Sequence, residues 1–462
     1  MNDPFLHFFK VNTRDYVYDA RSNMIFEVLN HDPQQIRAQL DMIYRKSWEK
    51  GIDEISISGV RYPFDDDYIL HHMRSAMEEL ILNVTDRCNF RCRYCIYGGS
   101  YGGMRTHRNV DMVDEIAKGA VDEFAERSKE LDKVCLGFYG GEPLLRWKMI
   151  ERLVPYAKER MRDRKVMPSM TTNGWLLTPD KFDFLRDCGF TIMVSMDGGK
   201  ETHDRNRRTA KNKPTHDVIL KNLDALREWD SGYYRDAVSF SYVAVDPFDI
   251  DRMDGFFHGN PLTRGHFIMG GMVDKHDTSL TIPEIDTPEK MQRLAQEMNK
   301  VISNFARYLQ GERETSGIGG SLLTPTLKGI RDRPLSLMDG QVPTTRICMT
   351  GVRKLFVTTD GKYHPCEKSE SFNIGSVQEG FSEGKGLSLM RDYERMSEGL
   401  CDECWGVRLC PACYVTGSIR GELNQDRQRE RCDEFKSVIS SSLTLYTYLL
   451  ENRVDLTDRI DT

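Results

Sequence analysis

Three cysteines lie close together at the end of a short apolar stretch in this chain of 462 residues. Cys88, Cys92 and Cys95 follow the pattern C-x3-C-x2-C. Three thiolates can fill three corners of a cubane [4Fe-4S] cluster and leave the fourth iron open to a non-protein ligand. The alternative is a structural zinc site, which normally closes on four Cys or His ligands, and only His107 is near enough in sequence to be a fourth. The spacing therefore favours a cluster with one open iron.

The segments that must position these cysteines alternate apolar strands with longer helical patterns. The sequence predicts strands at 80–84, 134–138, 166–171, 190–194, 237–245 and 265–269. It predicts helices between them at 112–127, 147–162, 180–188, 217–229 and 288–308. With right-handed crossovers, this pattern predicts an α/β fold with a parallel, partial (β/α)6 barrel, in which ligands bind at the C-terminal strand ends.

Polar motifs follow three of these predicted strands. Gly140, Gly141 and Glu142 precede a proline after the second strand. Two glycines let the backbone come close to a ligand, and a carboxylate pairs with an ammonium group. The next two strands end in Thr-Thr-Asn-Gly, which contains Asn173, and in Ser-Met-Asp-Gly, which contains Asp197.

Four motifs in this order resemble those of the radical S-adenosylmethionine (SAM) enzymes. The resemblance implies that SAM chelates the open iron, that the reduced cluster splits SAM to a 5′-deoxyadenosyl radical, and that the Gly-Gly-Glu-Pro segment holds the SAM amino group. It also implies SAM contacts for Tyr94 beside the adenine, for Asn173, Ser195 and Asp197 at the ribose and carboxylate, and for Arg207 at the carboxylate. For Arg207, a structural role in a polar loop is an open alternative.

Seven more cysteines occupy the C-terminal part of the chain: Cys348, Cys366, Cys401, Cys404, Cys410, Cys413 and Cys432. Paired C-x2-C is also a zinc signature, so a zinc ribbon fits the segment 401–413 taken alone. Together with the first motif, the pattern resembles the SPASM extension of radical SAM enzymes, which holds two auxiliary [4Fe-4S] clusters. The resemblance implies one cluster on Cys401, Cys404, Cys410 and Cys432 and another on Cys348, Cys366 and Cys413.

The second of these sets has three thiols, so it is expected to leave one auxiliary iron open, where a substrate thiolate could bind. Glu367 directly follows Cys366, at a place where sulfatase-maturing relatives carry an aspartate proposed as a base. The implied catalytic role is to accept a substrate proton, and an uninvolved surface carboxylate is the alternative. Cys135 and Cys188 match no motif and are predicted to be small buried apolar residues.

The pattern predicts four parts. These are an N-terminal RiPP-recognition-like domain with its linker at 1–75, the radical SAM partial barrel at 76–313, a bridge rich in Gly, Pro and charge at 314–345, and the SPASM domain with a C-terminal helix at 346–462. The front part is predicted as strands at 7–11, 15–18 and 24–28 and a helix at 34–48. It resembles the element of peptide-modifying members that adds a leader peptide as an extra strand, and a plain capping subdomain is the alternative.

Composition limits the partners of the chain. Lys and Arg number 64 against 71 Asp and Glu, both signs are interspersed, and no basic stripe indicates nucleic acid. The N-terminus lacks a basic start before a long apolar core, and no apolar run reaches membrane-spanning length. We therefore expect a cytoplasmic protein that does not bind membranes and whose twelve cysteines mainly ligate metal.

The expected function is oxidative maturation of a ribosomally made precursor peptide, with three [4Fe-4S] clusters, SAM and a low-potential donor such as flavodoxin or ferredoxin. The resemblance favours a cysteine thioether crosslink, as in sactipeptide and ranthipeptide synthases. Carbon-carbon or carbon-oxygen crosslinking of the streptide type comes second, and oxidation of a sulfatase Cys or Ser to formylglycine third. A redox relay without SAM chemistry is the alternative from another class, and the intact Gly-Gly-Glu-Pro motif argues against it.

Overall fold

The computed structural model describes residues 3–28, 32–102, 104–274, 278–343, 347–369, 371–419, 421–456 and 459–460. The strands are β1 (Leu6–Val11), β2 (Arg14–Asp19), β3 (Met24–Val28), β4 (Ile57–Arg61), β5 (Glu79–Thr85), β6 (Lys133–Gly140), β7 (Lys165–Thr172), β8 (Thr191–Ser195), β9 (Val238–Ala244), β10 (Ile268–Met272), β11 (Gly340–Pro343), β12 (Leu355–Val357), β13 (Tyr363–His364), β14 (Gly375–Ser376), β15 (Gly380–Phe381), β16 (Ser418–Ile419) and β17 (Glu422–Leu423).

The α-helices are α1 (Pro33–Trp48), α2 (Asp66–Ser75), α3 (Asp114–Arg127), α4 (Trp147–Arg160), α5 (Phe182–Cys188), α6 (Lys200–Asn206), α7 (His216–Trp229), α8 (Ser231–Ala237), α9 (Ile250–Gly259), α10 (Pro288–Leu309), α11 (Gly317–Arg331), α12 (Glu383–Ser397) and α13 (Gln425–Glu451). Contacts divide the chain into two compact units. Unit one comprises 1–66, 323–348 and 387–462, and unit two comprises 67–322 and 349–386.

Unit two is built on a sheet of eight strands in the order β10-β9-β8-β7-β6-β5-β12-β13. The six predicted strands are all present, as β5 to β10, and pair in parallel in chain order. The predicted α/β class with a parallel sheet is therefore confirmed. The sequence did not predict β12, which pairs in parallel with β5, because β12 is only three residues long.

The two faces of this sheet differ in burial. On β9 every second residue is buried and the residues between are half-buried, and β8 has the same alternation after its first residue. The half-buried positions include Ser169, Thr171, Met193, Ser195 and Ser241. We call the face that carries them the accessible face. Most of its side chains are small and polar, while the other face carries buried apolar residues of the core.

Unit one begins with the predicted order of three strands and a helix. β1, β2 and β3 form an antiparallel sheet in which β3 is an edge strand. Leu6 and Val17 from the sheet pack with Ile36, Leu40 and Tyr44 from α1 in one buried cluster. The predicted bounds are close to the observed ones because hairpin turns and a helical apolar period are local signals.

The N-terminal sheet packs against the cysteine-rich segment of unit one. The His7 ring stacks on Trp405 with centroids 3.8 Å apart, and its Nε2 lies 2.8 Å from Ser440 Oγ on α13. The Arg408 guanidinium donates to the carbonyl oxygens of Arg21 and Ser336, at 3.1 and 2.6 Å. These contacts join two parts that lie almost 400 residues apart in the chain. Among the described residues, no helix is long and apolar enough to cross a membrane.

The segment predicted as a bridge contains a helix, α11, and a strand, β11. The sequence analysis assigned neither element, because glycine and proline are weak signals for both. The helix begins at Gly317, whose φ of 58° suits glycine. The next residue, Ile318, donates its N–H to Asp254 Oδ1 at 3.0 Å. A carboxylate from a distant helix thus caps α11, and local sequence patterns do not reveal such a cap.

Candidate functional site

The three-cysteine loop follows β5, which ends at Thr85. Cys88, Cys92 and Cys95 lie close enough to affect one another's ionisation. Burial raises the pKa of all three thiols, and that of Cys92 to about 12. Three half-buried neutral thiols need a cation to become thiolates, and the iron of a cluster would supply that charge. The donor set therefore fits a [4Fe-4S] cluster.

Asp86 fixes this loop, and the sequence analysis missed it. Its buried carboxylate accepts from Asn83 Nδ2 at 2.8 Å and from Arg108 Nη2 at 2.7 Å. Arg105 Nε lies 3.5 Å from the same carboxylate. A fully buried carboxylate needs paired charge and hydrogen bonds. A charged residue two places before the first cysteine was the available sequence signal.

The two glycines of Gly-Gly-Glu-Pro bring the end of β6 against the cysteine loop. Gly141 N donates to Thr85 O at 2.8 Å, and Glu142 N donates to Arg87 O at 2.9 Å. A side chain on Gly141 would overlap the Arg87 carbonyl, and one on Gly140, whose φ is 127°, would overlap Asn83. The glycines were expected to admit a ligand. They admit the backbone of the cluster-binding loop, which fixes Glu142 relative to the cysteines.

The Glu142 carboxylate is almost completely buried, with 1% of the residue exposed. Oε1 accepts from Thr172 Oγ1 at 2.7 Å and from Leu144 N at 3.1 Å, and Oε2 accepts from Asn173 N at 2.8 Å. Burial raises the pKa of Glu142 to about 7, against the lowering effect of these donors. All three donors are neutral, so an ammonium group is the partner that would best stabilise the charged form. This arrangement fits the amino group of SAM.

Asn173 and Ser195 lie at the ends of β7 and β8, as predicted. Asn173 Nδ2 donates to Asn89 Oδ1 at 2.8 Å and lies 3.9 Å from Cys88 Sγ, so this side chain belongs to the cluster loop. Ser195 Oγ lies 3.3 Å from Ser241 Oγ on the accessible face. Direct contacts of either residue with SAM stay predictions.

Tyr94, Asp197 and Arg207 form a buried group. The Tyr94 hydroxyl lies 2.7 and 2.9 Å from the two Asp197 carboxylate oxygens, and Arg207 Nε is 3.1 Å from Oδ1. The Arg207 guanidinium also lies over the Tyr94 ring, 5.2 Å from its centroid. Burial opposes the charge of Arg207, but Asp197 and Cys92 nearby raise its pKa. Arg207 therefore stabilises the loop and a Cys92 thiolate, while its predicted contact with the SAM carboxylate stays a prediction.

A second cysteine site lies in unit one. The four cysteines Cys401, Cys404, Cys410 and Cys432 line a cavity with about 560 Å³ of empty space, part of it open to solvent. Burial, together with the other three thiols, raises the pKa of Cys401. The rest of the wall is mainly apolar and includes Val407 and Ile439. Four thiols and an apolar wall fit a fully ligated cluster.

The other predicted auxiliary ligands are divided between the units. Cys348 and Cys413 lie near Tyr62 in unit one. Burial raises the pKa of the Tyr62 hydroxyl, and these two thiols raise it further. The hydroxyl donates to Cys348 O at 3.2 Å. Cys366 lies in unit two, where its N–H donates to Ser369 Oγ at 2.9 Å. This ligand set stays a prediction. Within the described ranges, no three His, Cys, Asp or Glu side chains are already arranged to hold a metal ion.

Glu367 also lies in unit two, with 20% of its side chain exposed. Its Oε2 is 3.4 Å from Lys354 Nζ, and its carbonyl accepts from the Tyr97 hydroxyl at 3.3 Å. The prediction that Cys135 is a buried apolar residue was wrong, because its half-buried Sγ lies 3.4 Å from Ser169 Oγ. Cys188 is likewise only half-buried.

Comparison with known proteins identifies the sheet domain. Residues 82–246 match the model of the Radical SAM superfamily. The structure is similar to that of anSMEcpe with bound AdoMet, with a TM-score of 0.60 and 19% identity over 84% of this chain and 97% of that one. It is also similar to anSMEcpe with AdoMet and the Cp18Cys peptide, with a TM-score of 0.57 and 20% identity over 83% of this chain and 99% of that one. These likenesses establish the predicted radical SAM fold.

Several curated relatives have assigned activities. A cysteine-type anaerobic sulfatase-maturating enzyme from Clostridium novyi is 24% identical over 81% of this chain and 97% of its own length. The radical SAM cyclopropyl synthase TigE from Paramaledivibacter caminithermalis is 25% identical over 51% of this chain and 52% of its own length. A cysteine-type maturating enzyme from Clostridium perfringens is 34% identical over 32% of this chain and 40% of its own length. Residues 82–246 therefore form a Radical SAM domain, and this superfamily implies a [4Fe-4S] cluster and SAM.

Proposed function

We propose that this enzyme oxidises a peptide by radical SAM chemistry and uses three [4Fe-4S] clusters. The observation that carries the proposal is the second cysteine site, where Cys401, Cys404, Cys410 and Cys432 surround one cavity. A radical SAM enzyme that only abstracts a hydrogen atom and returns it has no need of a second redox centre. A net oxidation leaves one electron on the substrate, and an auxiliary cluster is an acceptor for it. The sulfatase-maturating relatives support a peptide as the substrate.

The chain's own residues have distinct tasks in this proposal. Cys88, Cys92 and Cys95 would hold the cluster that binds SAM. Bound SAM would supply a 5′-deoxyadenosyl radical, which removes a hydrogen atom from carbon. Glu142 would hold the SAM amino group because its carboxylate is fixed by three donors. Glu367 would accept the proton that the substrate loses. Its carboxylate forms an ion pair with Lys354, which holds it at the surface of unit two.

Two oxidations of a peptide fit this set of residues. In a thioether crosslink, a C–H and an S–H hydrogen are lost and a C–S bond forms. In formylglycine formation from Ser, a C–H and an O–H hydrogen are lost. From Cys, a C–H and an S–H hydrogen are lost, and water then replaces the sulfur, which leaves as hydrogen sulfide. In each case one hydrogen atom goes to the deoxyadenosyl radical, one electron to an acceptor and one proton to a base. The sulfatase-maturating relatives support the formylglycine reaction, and the sequence pattern supports the thioether reaction about equally. We therefore retain both reactions.

The N-terminal sheet supports a precursor peptide as the substrate. Its strand β3 is an edge, where an extended peptide could add as a fourth strand. The other edge strand, β1, packs against α13 through His7 and Ser440, which leaves β3 as the better docking edge. A leader bound there would hold the modified part of the peptide at the enzyme. A sulfatase substrate has no need of such a segment, so this sheet favours the thioether reaction.

Mass spectrometry of reacted peptides tests the proposal and separates its two forms. Reconstituted enzyme, SAM and a chemical reductant are incubated without oxygen with two probes: peptides encoded beside the gene, and pools of synthetic peptides with one central Cys or Ser. Loss of two hydrogens from a Cys peptide, with a new C–S bond, supports the thioether. A new aldehyde that a hydrazine reagent traps as a hydrazone supports formylglycine formation. Release of 5′-deoxyadenosine without change in any peptide would contradict peptide oxidation.

A further inference from the structure

Three polar residues form a row across the sheet of unit two. Glu79 pairs with Cys135 in the register of β5 and β6. Leu355 pairs with Leu80 in the register of β12 and β5, so the residues before them, Lys354 and Glu79, also lie side by side. The parallel ladder thus aligns Lys354, Glu79 and Cys135 on the accessible face. None of them belongs to the motifs that bind the cluster or SAM.

The contacts along this row are continuous. Lys354 Nζ lies 3.8 Å from Glu79 Oε2, and Cys135 Sγ lies 3.7 Å from Glu79 Oε1. On its other side the same ammonium group lies 3.4 Å from Glu367 Oε2. The side chains of Lys354, Glu79 and Glu367 are 26%, 27% and 20% exposed. One ammonium group therefore bridges two mostly buried carboxylates.

A neighbouring ion pair provides an internal contrast. Arg353 pairs with Glu78, each one residue earlier in the chain than Lys354 and Glu79, with exposed side-chain fractions of 64% and 45%. Both residues precede the strands β12 and β5, and their pair is much more exposed than that of Lys354 and Glu79. Exposed ion pairs contribute little because water screens them, whereas a partly buried pair fixes its members more strongly. Of the two ion pairs, only that of Lys354 and Glu79 also contacts Glu367, through the Lys354 ammonium group.

We propose that Lys354 and Glu79 are positioning residues that hold the Glu367 carboxylate in place for the substrate. This inference rests on the proposed role of Glu367 in peptide oxidation. Lysine has a flexible four-carbon stem, so one carboxylate alone would leave its ammonium group free to move. Glu79, the first residue of β5, supplies a second anchor on the sheet. A displacement of about 1 Å in a reacting group can lower a rate by about 100-fold, so the anchoring has a catalytic consequence.

Three variants test the pair, and two variants of the exposed pair are the matched controls. In Lys354→Met and Glu79→Gln, the peptide product formed per 5′-deoxyadenosine should fall about 10-fold or more, with KM for the peptide little changed, because orientation and not binding is lost. Lys354→Arg should restore part of the coupling. Arg353→Met and Glu78→Gln remove the exposed pair and should behave like the wild type. Iron content should stay at the wild-type value in all variants.

Alkylation of Cys135 by iodoacetamide provides a readout that needs no substrate. Burial raises the pKa of the Cys135 thiol to about 11, Glu79 raises it further, and Lys354 lowers it. If the row is connected, alkylation of Cys135, followed by peptide mass mapping, should slow in Lys354→Met and speed up in Glu79→Gln. The Arg353 and Glu78 variants should not change the rate.

Specific outcomes would overturn the positioning role. Wild-type coupling in Lys354→Met, together with loss of product in Glu367→Gln, would leave the proposed function standing and remove the inference. Equal alkylation rates in all variants would show that the row is not connected. Loss of iron in Lys354→Met would assign the lysine to cluster assembly instead. If Glu367→Gln also kept full activity, the proposed role of Glu367 would itself be wrong.

Discussion

The two cysteine sites of this enzyme differ in how they are built. In the radical SAM site, three thiols come from one loop and are surrounded by charged and polar side chains, among them Glu142 and Arg207. In the second site, four thiols come from a loop and from helix α13, and the cavity wall is mainly apolar. A cluster held by the first arrangement would keep one coordination position open, beside charged groups that fit a charged ligand. A cluster held by the second would be fully ligated by protein, which suits electron transfer.

Removing the first site should have the largest effect. With Cys88, Cys92 and Cys95 all replaced by Ala, 5′-deoxyadenosine formation should be abolished, and iron content should fall by about a third of three cubane clusters. Anaerobic iron analysis and chromatography of the nucleoside measure both. Cys188→Ala, a half-buried thiol outside both sites, is the control and should change neither. Loss of all iron from the triple variant would show that the sites do not assemble independently.

Removing one thiol from the second site should separate peptide oxidation from SAM cleavage. Cys432→Ala removes the ligand that α13 supplies, so the peptide product should be lost while 5′-deoxyadenosine is still formed. The reason is that the electron left on the substrate has lost its acceptor. Ser437→Ala, on an exposed position of the same helix, is the control. Full product yield from Cys432→Ala would contradict an electron-transfer role for this site.

Removing charge from the first site should weaken SAM binding. Glu142→Gln keeps the size of the side chain but takes the anion away from the SAM ammonium group. The loss of a charged hydrogen bond of about 2 kcal/mol should lower SAM affinity about 30-fold, which equilibrium dialysis measures. Glu151→Gln, which removes a carboxylate paired with Lys148 on α4, is the matched control. Unchanged SAM affinity in Glu142→Gln would assign the carboxylate a purely structural role.

The buried Glu142 should also make the stability of the cluster-free protein depend on pH. Its pKa rises from 4.5 in the unfolded chain to about 7 in the folded one, so between these values only the unfolded state is ionised. The free energy of unfolding should therefore fall by about 3 kcal/mol as the pH rises through this window. Urea denaturation across the window measures the change. In Glu142→Gln this part of the pH dependence should disappear.

The smallest effect is expected from a change in the wall of the second site. Val407→Thr keeps the shape of the side chain and introduces a hydroxyl group into the apolar cavity. A hydrogen bond to a cluster sulfur stabilises the reduced state, so the reduction potential of this cluster should rise. Potentiometric titration followed by electron paramagnetic resonance measures it. Val415→Thr, outside the cavity lining, should have no effect, and equal potentials in the two variants would mean that the wall does not tune the cluster.

The sequence by itself determined the local parts of this protein. The spacing from Cys88 to Cys95 and the Gly-Gly-Glu-Pro segment predicted the SAM site, because loop ligands and backbone approach depend on a few consecutive residues. Alternating strands and helices predicted the parallel sheet, since apolar periodicity is a local signal. The set of Cys401, Cys404, Cys410 and Cys432 came from resemblance, and the fold gathers these residues around one cavity.

Only the tertiary structure decided which distant side chains meet. Asp254 caps α11 from another helix, so a segment rich in glycine and proline is helical. Tyr94 and Arg207 meet at Asp197, which ties the cysteine loop to the end of β8. Lys354 reaches Glu79 because a three-residue strand joins the sheet beside β5. Such contacts depend on strand register and on packing between residues far apart in the chain, and no pattern along the sequence encodes them alone.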